Sequence, residues 1–199
     1  DVRKFKAGDI AGVGVYVDSC RLCSACKADL EQYCEHGGTS WTYNSKARSS
    51  DEVNMGGYSD HIVVAERYTV KIPSHMDLKA VAPLLCAGIT TYSPLRHYKV
   101  GPGMKVGIIG LGGLGHMGIK FAHALGAHTV MITTSPDKAA DAKRLGADEV
   151  LLSRDADAMA RQAESFDFLL DTIPVSHDLN PYVALLKRDS TLVLVGALM

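Results

Sequence analysis

The sequence predicts an α/β protein: a doubly wound parallel sheet preceded by a smaller β-rich part. Three observations predict it. From residue 105 onward, apolar strand-like runs alternate with amphipathic helical runs, the pattern of right-handed crossovers over a parallel sheet. A glycine-rich turn sits between the first such strand and its helix. Before residue 95 the runs are short and strand-like, and they are interrupted by a dense cysteine cluster. The boundary is placed near Leu95, giving parts 1–94 and 95–199. Composition is ordinary for a globular chain of 199 residues, with 47% apolar residues and no internal repeats.

Taken in order, residues 5–17 (FKAGDIAGVGVYV) read as two strand-like runs around a Gly8-Asp9 turn. The cysteine loop follows, and its segment 27–32 allows one helical turn. Residues 37–54 are polar and read as surface loop. Residues 58–65 (YSDHIVVA) and 69–72 read as strands, the second ending at Pro73. Residues 77–85 and 90–98 read as helices, Pro94 lying near the start of the second. The sheet strands are then expected at 105–109, 129–132, 149–152, 166–170 and 191–195. Helices are expected at 114–125, 136–145, 156–162 and 181–186, with Gly126 and Gly146 as stops for the first two.

Charge excludes little but tilts the partner question. Lys and Arg number 21 against 22 Asp and Glu, a net charge of −1. That balance points to neither a nucleic-acid nor a membrane-surface partner. The first residues contain no signal-peptide pattern, and no apolar run is long enough to span a bilayer. A reducing, cytoplasmic setting is the expectation, in which clustered thiols read as metal ligands rather than disulfides. The chain starts without Met and stops in a strand-like run, TLVLVGALM, so a piece of a longer protein is expected.

Cys20, Cys23, Cys26 and Cys34 form C-x2-C-x2-C-x7-C; the remaining cysteine is Cys86. Four thiolates suit a tetrahedral zinc that is closed to substrate and holds a loop in shape. The rival is an iron–sulfur cluster, in which the fourth cysteine of such a run is typically nearer and followed by Pro. Here the gap is longer and Glu35 follows. Cys86, taken alone beside Leu84-Leu85, reads equally as a buried small hydrophobe.

Gly110-Leu111-Gly112-Gly113-Leu114-Gly115 fits G-x-G-x-x-G between a strand and a helix. The glycines allow a tight turn, close approach of a pyrophosphate and close packing of helix on strand, and the helix N-terminus presents free N–H groups. The alternative is a glycine turn that binds nothing. An NAD site carries an acid at the end of the next strand. That position here reads Thr133, Thr134, Ser135, Pro136, Asp137, Lys138. Hydroxyls and a lysine suit a 2′-phosphate, so NADP is expected over NAD. Ser135 also suits a helix N-cap, and Lys138 a solvated surface position.

These pieces together resemble the zinc-dependent medium-chain alcohol dehydrogenases, in their cinnamyl alcohol dehydrogenase and bacterial aldehyde reductase branch. The carrying stretches are the cysteine loop, TYNSK at 42–46, GGYSDHIVV at 56–64, PLLCAGITTYSPL at 83–95, GLGGLGHMGIKFA at 110–122, LGAD at 145–148 and LLDTI at 169–173. The resemblance implies a Rossmann domain lacking its last strand, joined to part of a GroES-like catalytic domain. It implies that Cys20, Cys23, Cys26 and Cys34 hold structural zinc, that Cys86 is one ligand of a catalytic zinc, and that Thr90 lies near the nicotinamide. It also implies cofactor contacts from Gly110, Leu111, Gly112, Gly113, Leu114, Gly115, Thr133, Thr134, Ser135, Lys138 and Thr172. The implied activity is NADPH-linked interconversion of aldehydes and primary alcohols by a homodimer. The family's other catalytic zinc ligands have no match in this sequence.

Overall fold

The structure, a computed structural model, describes residues 2–48 and 51–196. Ser49 and Ser50 of the expected surface loop, and 197–199 of the final apolar run, lie outside the described residues. The chain divides into two compact units between Cys86 and Ala87, upstream of the expected boundary near Leu95. The reason lies in the helix Ala87–His97. Its Leu95 is fully buried in the core of the second unit, and Tyr92 packs 5.3 Å from Phe121 there.

The first unit is built from short antiparallel pairs. Strand β1 (Ala11–Val13) pairs with β6 (Thr69–Lys71), β2 (Tyr16–Asp18) with β3 (Ser40–Trp41), and β4 (Tyr43–Lys46) with β5 (Val53–Met55). Gly8, at φ +91°, makes the expected turn before β1. Two short helices, α1 (Ser24–Lys27) and α2 (Leu78–Val81), complete the unit. Its buried apolar residues are few, among them Val17, Tyr68, Ile72 and Val81.

Two expectations fail in this unit. Residues 37–54 contain three strands rather than only loop. Tyr43, Val53 and Met55 are each about half exposed, so the β4/β5 hairpin shows no apolar face for alternation to reveal. Residues 58–65 carry no strand. They open on a 3-10 turn at Gly56–Tyr58, and Tyr58 and Val63 stand exposed. Strand-forming residues without a partner strand do not make a ladder.

The second unit contains a five-stranded, wholly parallel sheet. Its strands are β7 (Lys105–Ile109), β8 (His128–Thr133), β9 (Glu149–Leu152), β10 (Phe166–Asp171) and β11 (Leu186–Leu194). Their spatial order is β9–β8–β7–β10–β11. Its helices are α3 (Ala87–His97), α4 (Gly113–Ala124), α5 (Ala139–Leu145), α6 (Ala156–Arg161) and α7 (Asn180–Val183).

The core lies on both faces of this sheet. Val106, Ile108, Met131, Phe168 and Leu170 pack with Ile119, Ala122 and Ala142 on one face. Ile109, Val130, Ile132 and Leu169 pack with Met159 and Tyr182 on the other. Burying side chains of this size stabilises the fold by about 1.5–3 kcal/mol each. The sheet is therefore doubly wound, as expected. The last strand begins earlier than expected, at Leu186 rather than Thr191. A register shift carries Asp189 through a left-handed conformation (φ 62°), and helix α7 is correspondingly shorter. Among the described residues no helix is long and apolar enough to cross a membrane.

Candidate nucleotide site and cysteine centre

The chain order of the sheet reverses direction between β7 and β10, and ligands of such sheets bind at the carboxyl ends of the strands at that point. The glycine turn lies there, directly after β7. Gly110 takes φ +88°, a left-handed conformation that side chains resist, and its N–H donates to Ile132 O at 3.0 Å. Gly115 is buried where a Cβ would come 1.9 Å from Gly110 O, so only glycine lets α4 close on the turn. Gly112 and Gly113 differ: a Cβ on either would meet nothing within 4 Å. Their exposed backbone faces open space, the room a pyrophosphate needs.

Gly112 is the N-cap of α4 and makes no side-chain cap. The first N–H groups of that helix have no intrahelical acceptor by geometry, and they carry the positive end of its dipole. Leu111 and Leu114 are half-buried on either side of this opening. Thr172 follows β10. Its hydroxyl lies 2.7 Å from Ile109 O and 3.1 Å from Gly110 O. It therefore braces the turn from beneath, a supporting position that sequence alone did not assign.

The segment after β8 converges on the same turn. Lys138 reaches back until its Nζ lies 3.5 Å from Leu111 O. Thr133 is buried, and its Oγ1 accepts the Ser135 N–H at 3.2 Å, while Thr134 is exposed. Ser135 occupies the N-cap position of the 3-10 turn Pro136–Lys138, yet its side chain makes no capping bond. No carboxylate stands at the strand end, and Asp137 is exposed within the 3-10 turn.

Two other residues of the nucleotide neighbourhood went unnoticed in the sequence. Asp171, 1% exposed at the end of β10, accepts the Ile173 N–H at 2.9 Å, and its second oxygen lies 2.9 Å from His177 Nε2. Through the Ile173 N–H, Asp171 holds the segment after Thr172. The only signal was an acid closing an apolar strand.

In the first unit the four loop cysteines come together. Their sulfurs all lie within 4.8 Å of one another, and among the described residues no other group of His, Cys, Asp or Glu does this. Helix α1 makes the convergence possible: Cys23 is its N-cap, and the Cys23 sulfur accepts the Cys26 N–H at 3.5 Å. Backbone N–H groups of Leu22 and Cys23 point at Cys20 Sγ from 3.4 and 3.3 Å, and the Cys20 N–H points at Cys34 Sγ from 3.4 Å.

These donors favour thiolate. The N–H groups of Leu22 and Cys23 pull the Cys20 thiol down to about 6. Those of Cys26 and Glu35 lower Cys23. At Cys26 the Ser19 hydroxyl pulls downward, but burial and the neighbouring Cys23 thiol outweigh it and push the group up to about 11. Four sulfurs at this separation, with N–H groups trained on them, fit a closed tetrahedral zinc.

Cys86 is exposed at the end of the 3-10 turn Ala82–Leu85, its N–H bonded to Pro83 O at 3.3 Å. The alternative of a buried hydrophobe is overturned by that exposure. Cys86 belongs to no metal-ligating cluster among the described residues. Thr90 is half-buried on α3.

Residues 113–199 match the family of zinc-binding dehydrogenases. The chain is 56% identical over 197 residues to an aldehyde reductase, YahK, of Escherichia coli, covering 98% of this chain and 56% of that protein. It superposes on a cinnamyl alcohol dehydrogenase of Sorghum bicolor with a TM-score of 0.94 and 44% identity, over 98% of this chain and 56% of that one. It likewise superposes on a Helicobacter pylori cinnamyl alcohol dehydrogenase complexed with NADP(H), with a TM-score of 0.89 and 42% identity, over 98% of this chain and 55% of that one. The chain thus spans about half the length of the relatives it matches.

Proposed function

We propose, from the resemblance of this chain to the zinc-dependent medium-chain alcohol dehydrogenases, that it belongs with them and seats NADP(H) in an enzyme interconverting aldehydes and primary alcohols. The observation that carries the proposal is the glycine turn at the reversal of the sheet, with Lys138 and the hydroxyls of Thr133, Thr134 and Ser135 beside it and no acid at the strand end.

Each residue has a task in this reading. The N–H groups opening α4 hold the pyrophosphate against Gly112 and Gly113. Thr134, Ser135 and Lys138 take the 2′-phosphate, which an acid there would repel. Thr172 keeps Gly110 in its left-handed turn, and Thr90 faces the nicotinamide. The four loop cysteines hold a zinc that fixes loop shape. When bound, the cofactor would supply the hydride, and a catalytic zinc, of which Cys86 would be one ligand, would supply a Lewis acid for the aldehyde oxygen.

Cys86 offers one thiolate to that catalytic metal. Three protein ligands are usual, and Cys86 stands in no such cluster among the described residues. That observation favours a second reading: the 199-residue chain by itself binds nucleotide and structural zinc without turnover. We read the full-length protein as a homodimer on the family resemblance, and its setting as the reducing cytoplasm in which clustered thiols serve as metal ligands.

Fluorescence titration of the chain with NADPH and NADH tests the proposal. NADPH is expected to bind at least about tenfold more tightly, a difference of about 1.4 kcal/mol, and Lys138→Ala to erase most of that preference. Equal affinity for the two nucleotides in the parent chain contradicts the 2′-phosphate assignment. Binding of neither contradicts the site. Aldehyde reduction by the 199-residue chain alone would refute the second reading.

A further inference from the structure

The four cysteines do not share one environment. The sulfurs of Cys20 and Cys23 receive backbone N–H groups of their own loop. Cys26, 2% exposed and the most buried of the four, also meets a side chain: its Sγ lies 3.2 Å from Ser19 Oγ. Ser19 Oγ in turn lies 2.7 Å from Tyr68 Oη. Ser19 is 3% exposed and Tyr68 8%. A buried line of hydroxyls therefore runs from the cysteine centre through Ser19 to Tyr68, 49 positions after Ser19.

Tyr68 is firmly held. Its ring meets Tyr16 edge-on at 5.8 Å, and the guanidinium groups of Arg21 and Arg67 lie 5.8 and 5.6 Å from its centre. Arg67 pairs with Glu31, which is itself buried. Arg21 is fixed by Asp18 at 2.8 Å. So the tyrosine hydroxyl is aimed by packing and charge rather than by chance.

We propose that Tyr68 and Ser19 form a hydroxyl relay that donates a hydrogen bond into the Cys26 thiolate when the loop holds its metal, which makes both of them positioning residues of the centre. The inference rests on the reading of the loop as a zinc site. A ligating sulfur is deprotonated and only accepts. Ser19 has one hydroxyl proton, which then turns toward the sulfur. The serine oxygen accepts in return, and the Tyr68 O–H is the donor within reach. Such outer partners orient the ligand and tune its donor strength. No proton changes hands; the two hydroxyls only orient.

Metal affinity of the chain, measured by competition with a chromophoric chelator, and the absorption of the cobalt-loaded chain test this together. Ser19→Ala is expected to weaken zinc binding about tenfold. It should also move the cobalt–thiolate charge-transfer band to lower energy, because the sulfur loses a donor. Tyr68→Phe should shift the band in the same direction by less, and Ser19→Thr, which keeps the hydroxyl, should restore the parent spectrum. An unchanged cobalt band in Ser19→Ala or Tyr68→Phe overturns the relay, even if affinity falls. A parent chain that takes up neither metal overturns the zinc reading and the relay with it. A parent that binds zinc, with Ser19→Ala equally tight, overturns the relay alone.

Discussion

The cysteine loop and the glycine turn are both short, densely marked stretches, but they are held in place by opposite means. The turn is clamped by a sheet whose two faces are closed. Ile108, Ile109, Phe168 and Leu169 beneath it are 0–1% exposed, and Thr172 and Ile132 bond to it directly. The loop has strands of two and three residues as its neighbours and few buried apolar side chains. What brings its four sulfurs together is their own geometry and the backbone donors around them. One region is shaped by a core, the other by ligands. It follows that metal removal should reach the second region and spare the first.

The largest expected effect comes from breaking the ligand-held side. Cys23→Ser should abolish zinc uptake and disorder the loop, since structural zinc contributes on the order of 10 kcal/mol to the regions it holds. The sheet should be unaffected. Metal analysis with near-ultraviolet circular dichroism follows both. Loss of the sheet in that variant breaks the comparison.

The core-held side is sharpened by Gly115→Ala. The added Cβ would stand 1.9 Å from Gly110 O, and backbone on both sides has to move. Overpacking of this kind costs about 3 kcal/mol. Chemical denaturation should register it, and NADPH affinity should fall in the folded fraction. Gly112→Ala, where a Cβ meets nothing within 4 Å, is the control for stability: it should leave the fold intact and weaken only the nucleotide. Equal destabilisation by both substitutions contradicts the assigned division of labour.

The smallest effect concerns the edge of the sheet. Burial works against the charge of Asp167, but Lys187 at 2.7 Å and the Lys105 N–H at 2.8 Å outweigh it and hold the carboxyl below its ordinary 3.8. A depressed folded value means that the contribution is present above pH 3.8 and disappears as pH falls through the folded value. With Lys187 and Asp167 both partly exposed, the pair contributes about 0.5 kcal/mol. Asp167→Asn should therefore lower stability at pH 7 by that order, and by progressively less as the pH falls below 3.8, as thermal melts across that range would register.

The same contrast explains what the sequence made legible. Strands β7 and β9 fall on the expected bounds, 105–109 and 149–152, because apolar runs in the sheet are bounded by turn residues. Gly126 and Gly146 take the left-handed conformation that ends a helix, and both stops were readable. The β4/β5 hairpin was not readable, because Tyr43, Val53 and Met55 are half exposed and its sequence is polar. At the sites, spacing gave the four cysteines and the glycines. It could not give Ser19 and Tyr68, single polar residues joined only by the fold, nor the brace from Thr172, which depends on parallel pairing of β7 with β10.

Hydrogen exchange of the chain in three states tests this contrast most directly: as prepared, stripped of metal by a chelator, and saturated with NADPH. Chelation is predicted to release protection across residues 20–34 while strands 105–109 and 166–171 keep theirs. NADPH is predicted to add protection at 110–115 and 133–138 and to leave 20–34 unchanged. Loss of protection in those strands on chelation, or no change at 110–115 with NADPH, would contradict the account.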